Sequence, residues 1–183
     1  MRVITGTARG RRLREPEGMA TRPTTDNVKE SMFNLIQFDI EGRRVLDLFA
    51  GTGQLGIEAL SRGASRAVFV DHRQDAAALV HENLRRTHFE DRGEVVCADF
   101  TQYLARCRRK FRLIFLDPPY AEKSLETAIQ RLSEIDILSI GGIIITERPV
   151  GKALDAAYPG LVRKKDHRYG TVLTALFRRM AAT

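Results

Sequence analysis

Asp117-Pro118-Pro119-Tyr120 is the segment of this sequence whose residue types are best suited to chemistry. It places an acceptor carboxylate, a stiff backbone and a flat aromatic face within one tetrapeptide. Proline fixes its own φ and restricts the residue before it, so the Asp117 carboxylate and the Pro118 carbonyl are held at a rigid strand exit. Two such acceptors suit an amino group conjugated to an aromatic base. That amine is a poor nucleophile because its lone pair is delocalised into the ring. Acceptors aimed at its two N–H bonds favour the pyramidal form that can attack a methyl group. Tyr120 adds a face for the base to stack on, worth about 1–3 kcal/mol. No metal is required. The plainer account is a Pro-Pro strand stop beside a half-buried tyrosine. It loses ground because the tetrapeptide follows a glycine loop and a series of strand-end acids.

The glycine loop is Gly51-Thr52-Gly53-Gln54-Leu55-Gly56, a G-x-G-x-x-G match with Asp71 20 residues after Gly51. Alone, this is the dinucleotide fingerprint, with the acid on a ribose hydroxyl. A nicotinamide-dependent oxidoreductase is therefore a competing reading. Asp47 counts against it, because a carboxylate four residues before Gly51 would face a pyrophosphate across a low-dielectric cleft. S-adenosylmethionine has an ammonium, a sulfonium and no phosphate, and suits Asp47 better. On this reading Asp47, Phe49, Ala50, Gly51, Thr52 and Gly53 form the cofactor loop and Asp71 takes the ribose. Asp99 accepts from the adenine amino group with Phe100 packed beside it, and His72 either packs on adenine or is an exposed polar residue.

The elements that must position these groups alternate. Apolar runs at 45–46, 67–70, 95–98, 113–116 and 143–145 are continuous, as strands covered on both faces are. Helical patterns lie between them at 55–60, 76–84 and 125–132, and another precedes them with Val28, Met32, Phe33 and Ile36 on one face and Thr25 as N-cap. Strand–helix alternation implies an open α/β sheet, mostly parallel, with helices on both faces. The runs 161–162 and 172–177 suggest an antiparallel hairpin at the sheet edge. An acid ends each of the first five runs: Asp47, Asp71, Asp99, Asp117 and Glu147. Ligands of open sheets bind outside the carboxyl ends of the strands, so four or five carboxylates are expected along one rim. Any one of them has a plainer use as a helix cap.

At 183 residues the chain suits a single domain, 1–183, with enough length for its own core. Cys97 and Cys107 are too few for a disulfide framework and lack metal spacing; His81, His88 and His167 fit no ligand or triad pattern. With neither a signal peptide nor an apolar stretch near the roughly 20 residues of a membrane helix, the expectation is a cytoplasmic protein with no membrane partner. The net charge is +7. Residues 1–22 hold six arginines against Glu15 and Glu17. They read as a basic arm, with 23–183 as the catalytic core. Arginine forks suit phosphates, so Arg2, Arg9, Arg11, Arg12 and Arg14 are candidate nucleic-acid contacts. The alternative is a basic surface that only aids solubility.

Over nearly its whole length the sequence resembles the RsmD-type methyltransferases, which modify N2 of a guanine in 16S ribosomal RNA. The resemblance is carried by Arg2-Val3-Ile4-Thr5-Gly6, Gly10-Arg11-Arg12-Leu13, Arg22-Pro23-Thr24-Thr25-Asp26, Glu30-Ser31-Met32-Phe33-Asn34, the loop from Val45 to Gly53, the Asp117 tetrapeptide and Tyr169-Gly170-Thr171. It implies a Rossmann-like class I domain of seven strands and S-adenosylmethionine held by the glycine loop, Asp71 and Asp99. It also implies Arg22 and Thr24 near the methionine end, guanine held by Asp117 to Tyr120, and small-subunit RNA as partner of a monomer. The family pattern has glutamate where this chain has Asp71, which still accepts from ribose hydroxyls. A DNA amino (adenine-N6 or cytosine-N4) methyltransferase can carry the same tetrapeptide, but 183 residues leave little room for a DNA-recognition region. A ribosome-assembly binding protein would fit the charge and leave the tetrapeptide unexplained.

Overall fold

The computed structural model describes residues 1–18, 25–119, 123–154 and 157–181. Arg22, Thr24 and Tyr120, named above as site residues, lie outside the described residues. The elements run α1 (Asp26–Leu35), β1 (Arg44–Asp47), α2 (Gln54–Ser61), β2 (Arg66–Asp71), α3 (Gln74–Thr87), β3 (Gly93–Cys97), α4 (Phe100–Arg106), β4 (Phe111–Leu116), α5 (Ser124–Glu134), β5 (Leu138–Pro149), β6 (Leu161–Arg163), β7 (His167–Tyr169) and β8 (Val172–Arg179).

The sheet order is β3-β2-β1-β4-β5-β8-β6, with β7 also paired to β8. β1 to β5 are mutually parallel and β8 runs antiparallel to β5. The continuous apolar runs are explained by two cores, one on each face of the sheet. Val45, Phe69, Leu113, Phe115 and Ile143 face α1, α2 and α3, while Leu46, Val68, Val70, Ile114 and Ile144 face α4 and α5. Alternate residues of one strand thus enter opposite cores, as the two-residue period of a strand requires. Helix α2 lies so close to the sheet that a Cβ on Gly56 would stand 2.3 Å from the Phe69 ring. Thr25 caps α1 as expected, its hydroxyl accepting from Val28 N–H at 3.3 Å.

Two details differ from expectation. The short helix α4 was not foreseen, because seven residues with one buried leucine show no clear period. The expected antiparallel hairpin at the sheet edge is present, and β8 is its inner strand, inserted between β5 and the outer strands β6 and β7. The edge itself is broken into β6, against residues 177–179 of β8, and β7, against 172–174, which makes eight strands where seven were expected.

Residues 1–18 are packed on the body rather than extended from it. Val3, Ala8 and Leu13 are buried, and Arg2 and Arg12 form an antiparallel bridge. Beneath them Lys29 and Glu58, both 0% exposed, form an ion pair at 3.5 Å. Glu58 also accepts from Ile4 N–H (2.8 Å), Thr5 N–H (3.0 Å) and Arg62 Nε (3.0 Å), while Lys29 donates to the Arg2 carbonyl at 2.6 Å. A buried charge is tolerable only when so partnered. Burial pushes the Lys29 ammonium below its ordinary pKa, and Glu58 opposes that shift. Among the described residues no helix is long and apolar enough to cross a membrane.

Candidate active site

A cavity of about 1280 Å³ opens at the carboxyl ends of β1, β2, β3 and β4. That exceeds the roughly 300–1,000 Å³ of an ordinary small-ligand pocket. Its floor is the turn between β1 and α2, residues Leu48 to Thr52. The turn depends on Gly53, which precedes α2 with φ +82°, a conformation costly for any residue with a Cβ.

Asp71, at the end of β2, braces this turn. Its carboxylate accepts from Gly51 N–H and from Arg73 N–H, each at 3.0 Å. A carboxylate offers about four lone-pair directions, so Asp71 keeps acceptor capacity toward the cavity it lines. Asp47 has a different place from the one expected. It is 1% exposed, lies under the loop and accepts from Gly56 N–H at 3.1 Å, and it is not among the described residues lining the cavity. In this position it holds the loop against α2. Burial pushes its pKa up to about 7, against the opposing Gly56 hydrogen bond and with a smaller push from Asp71.

Asp99 is both a helix cap and a cavity residue. It caps α4, accepting from Thr101 N–H at 2.8 Å and from the Thr101 hydroxyl, yet it is exposed and lines the cavity. The Thr101 hydroxyl bond holds its carboxyl below the ordinary value despite some burial. Phe49 and Phe100 pack with ring centroids 4.9 Å apart and planes tilted by 52° on the same wall, and His72 beside them is exposed. Asp117, Pro118 and Pro119 form the wall at the end of β4. Glu147 is buried and not among the described lining residues, so the rim holds three of the five strand-end acids, Asp71, Asp99 and Asp117.

The cavity also recruits residues outside the strand-end pattern. Arg14, Glu15 and Glu17 come from the N-terminal segment, and Asp75 and Glu82 from α3. Asn83, 0% exposed, ties the two together: it accepts from Arg14 N–H at 2.7 Å and donates to the carbonyls of Arg14 (3.1 Å) and Thr52 (2.9 Å). No local signal marks these residues, which meet across some seventy positions of chain. The described lining holds seven carboxylates (Glu15, Glu17, Asp71, Asp75, Glu82, Asp99, Asp117) against Arg14, Arg73 and the amino terminus. That field favours a cationic ligand and opposes a pyrophosphate. The residues present therefore fit S-adenosylmethionine rather than a nicotinamide dinucleotide.

Residues 1–178 match the family model described as conserved hypothetical protein 95. The chain belongs to this family. It is the RsmD-type group that the sequence resembles, with a class I methyltransferase fold. The Bacillus subtilis (strain 168) protein YlbH is 41% identical over 98% of this chain and 99% of its own length. Ribosomal RNA small subunit methyltransferase D of Escherichia coli (strain K12) is 32% identical over 99% of this chain and 91% of its own. The solved structure of the Escherichia coli protein yhhF superposes with a TM-score of 0.88 at 32% identity, covering 100% of this chain and 99% of that one.

Proposed function

We propose that this RsmD-type protein transfers a methyl group from S-adenosylmethionine to the exocyclic N2 of a guanine in small-subunit ribosomal RNA, acting as a cytoplasmic monomer. The observation that carries the reading is one acid-lined cavity that runs from the glycine loop and Asp71 to Asp117-Pro118-Pro119. When bound, the cofactor supplies an electrophilic methyl group on a positively charged sulfur. Asp71 accepts from its ribose hydroxyls, and Asp99 accepts from its adenine amino group. The aromatic wall of Phe49 and Phe100, with His72, excludes water from the adenine. Arg22 and Thr24 serve the methionine end.

On the substrate side the Asp117 carboxylate and the Pro118 carbonyl orient the guanine amine and favour its pyramidal form. Tyr120 stacks on the base. A base inside a helix must first be extruded, which costs a few kcal/mol and less from a loop. The N-terminal arginines add to the field that attracts RNA; Arg9 and Arg12 are exposed, while Arg2, Arg11 and Arg14 also have partners within the chain.

The test offers tritiated S-adenosylmethionine with undermodified small subunits, their naked RNA and duplex DNA. Label mapped to a guanine N2 in subunits or RNA supports the reading, and label only in DNA overturns the substrate. Asp117→Ala should cut the rate by about 10²–10³-fold with S-adenosylhomocysteine binding retained. Turnover within a few-fold of the parent would remove Asp117 from its role.

A further inference from the structure

Tyr169-Gly170-Thr171 takes part in neither the cavity nor the proposed chemistry. The strand register shows where this segment lies. Leu116 pairs with Thr146, so the chain just beyond β4, where Asp117 to Pro119 lie, is flanked by the end of β5. Pro149 at that end pairs with Val172 of β8, and Val172 pairs with Tyr169 of β7. Three strand spacings, about 14 Å in all, therefore separate the Asp117 wall from the outer edge of the sheet. Both stand on the same rim.

That edge is basic in an unusual way. From 161 to 170 the chain carries Arg163, Lys164, Lys165 and Arg168 against the lone acid Asp166. Asp166 is already committed: it accepts from Arg163 Nη2 at 2.8 Å and from Arg148 Nη2 at 2.6 Å. Arg148 is 4% exposed and lies in β5 beside the rim, so this cluster braces the turn between β6 and β7 onto the sheet. Lys164, Lys165 and Arg168 are left exposed, with no ion pair to any described residue. The rings of His167 and Tyr169 lie on one face of β7, stacked at 6.5 Å with 12° between their planes, while Arg168 between them points to the opposite face and donates from Nε to the Gly170 carbonyl at 2.9 Å.

Three of the N-terminal arginines are engaged within the chain. Arg11 donates to the Arg86 carbonyl in the last turn of α3. That carbonyl is twelve residues, about 18 Å, below the start of α3 at the rim. Arg2 is paired with Asp26, and Arg14 with Glu82 and Glu17.

We propose that the broken outer edge, β7 with the Lys164–Lys165 turn leading into it, is a docking ledge for the single-stranded RNA that flanks the methylated base. Phosphates lie on Lys164, Lys165 and Arg168, and a neighbouring base lies on the His167–Tyr169 ring pair. Positive charge beside a ring platform is the combination that holds single strands. The proposal rests on the RNA-methylating function proposed above. A purely structural use of the same charges is to keep an exposed edge from pairing with another sheet, and this use makes a different prediction.

The experiment compares the parent with the triple variant Lys164→Ala/Lys165→Ala/Arg168→Ala and the double variant Arg9→Ala/Arg11→Ala. It measures RNA affinity across a salt series, KM for the RNA acceptor, S-adenosylhomocysteine binding, and size by gel filtration. The ledge predicts at least a tenfold weaker RNA affinity and higher KM for the triple variant, with cofactor binding and size unchanged. Its salt slope should be shallower by about 2, from roughly 0.7 per phosphate lost. The double variant removes two charges of the general attracting field, so it should lose affinity by a smaller factor than the triple variant, with KM changed less. RNA affinity of the triple variant within twofold of the parent, or a change only in its size, overturns the ledge and leaves the proposed function standing. A parent that neither binds nor methylates RNA overturns both.

Discussion

The two basic stretches of this chain, residues 2–14 and 163–168, differ in what their charges are bound to. In the first, Arg2, Arg11 and Arg14 contact Asp26, the carbonyl end of α3, and Glu82 with Glu17, while Arg9 and Arg12 are exposed. Interleaved Val3, Ala8 and Leu13 are buried and draw the segment onto the body. In the second, one acid is shared between Arg148 and Arg163, Arg168 donates to the Gly170 carbonyl, and Lys164 and Lys165 face solvent. Charge density along a chain measures attraction at a distance. Which charges are left for a partner is decided by the apolar residues between them and the carboxylates they land beside.

This contrast can be broken most forcefully at Glu58. Glu58→Ala strands Lys29 in the interior and frees the Ile4 and Thr5 amides, so urea unfolding should show a loss of about 3–5 kcal/mol. A loss under about 1 kcal/mol would mean that the N-terminal stretch is only loosely attached. Asn83→Ala removes three hydrogen bonds between that stretch and the glycine loop, an effect of about 1–3 kcal/mol. Calorimetry should also show weaker S-adenosylhomocysteine binding, because the Thr52 carbonyl loses its anchor; unchanged binding would separate the N-terminal wall from the cofactor site.

Asp47 sharpens the comparison from the other side, as a buried carboxylate with no cation beside it among the described residues. Its folded pKa of about 7 lies above the ordinary aspartate value, so the folded state keeps the proton longer than the unfolded chain does. The resulting stabilisation is complete below about pH 4 and is lost as pH rises toward 7, at no more than about 1.4 kcal/mol per pH unit. Asp47→Asn should abolish this slope in melting temperatures measured from pH 4 to 8. A parent and variant that run parallel across that range would contradict the assignment. Arg2→Ala should be the mildest change, at most about 1 kcal/mol, because the Arg2–Asp26 pair is exposed on both sides. A loss above about 2 kcal/mol would show that the surface pairs, and not the buried network, hold the segment.

What was readable in advance was local. Gly51 to Gly56 announce a turn into a helix because the backbone there needs residues without a Cβ, and Asp117-Pro118-Pro119 announces a rigid strand exit because proline leaves no other choice. The parallel sheet was legible from continuous apolar runs, since only strands covered on both faces have them. The short helix α4 and the three-residue β7 were not, because each is too brief to show a period.

The sequence by itself determined the fold class, the glycine turn, and the placing of Asp71, Asp99 and Asp117 on one rim, because those depend on neighbours within a few residues. Only the tertiary structure decided that Asp47 sits beneath the loop rather than in the cavity, that Asn83 and Arg14 complete a wall, and which basic stretch keeps its charges. Those outcomes are set by which groups burial brings together from distant parts of the chain, and neither periodicity nor charge count records such meetings.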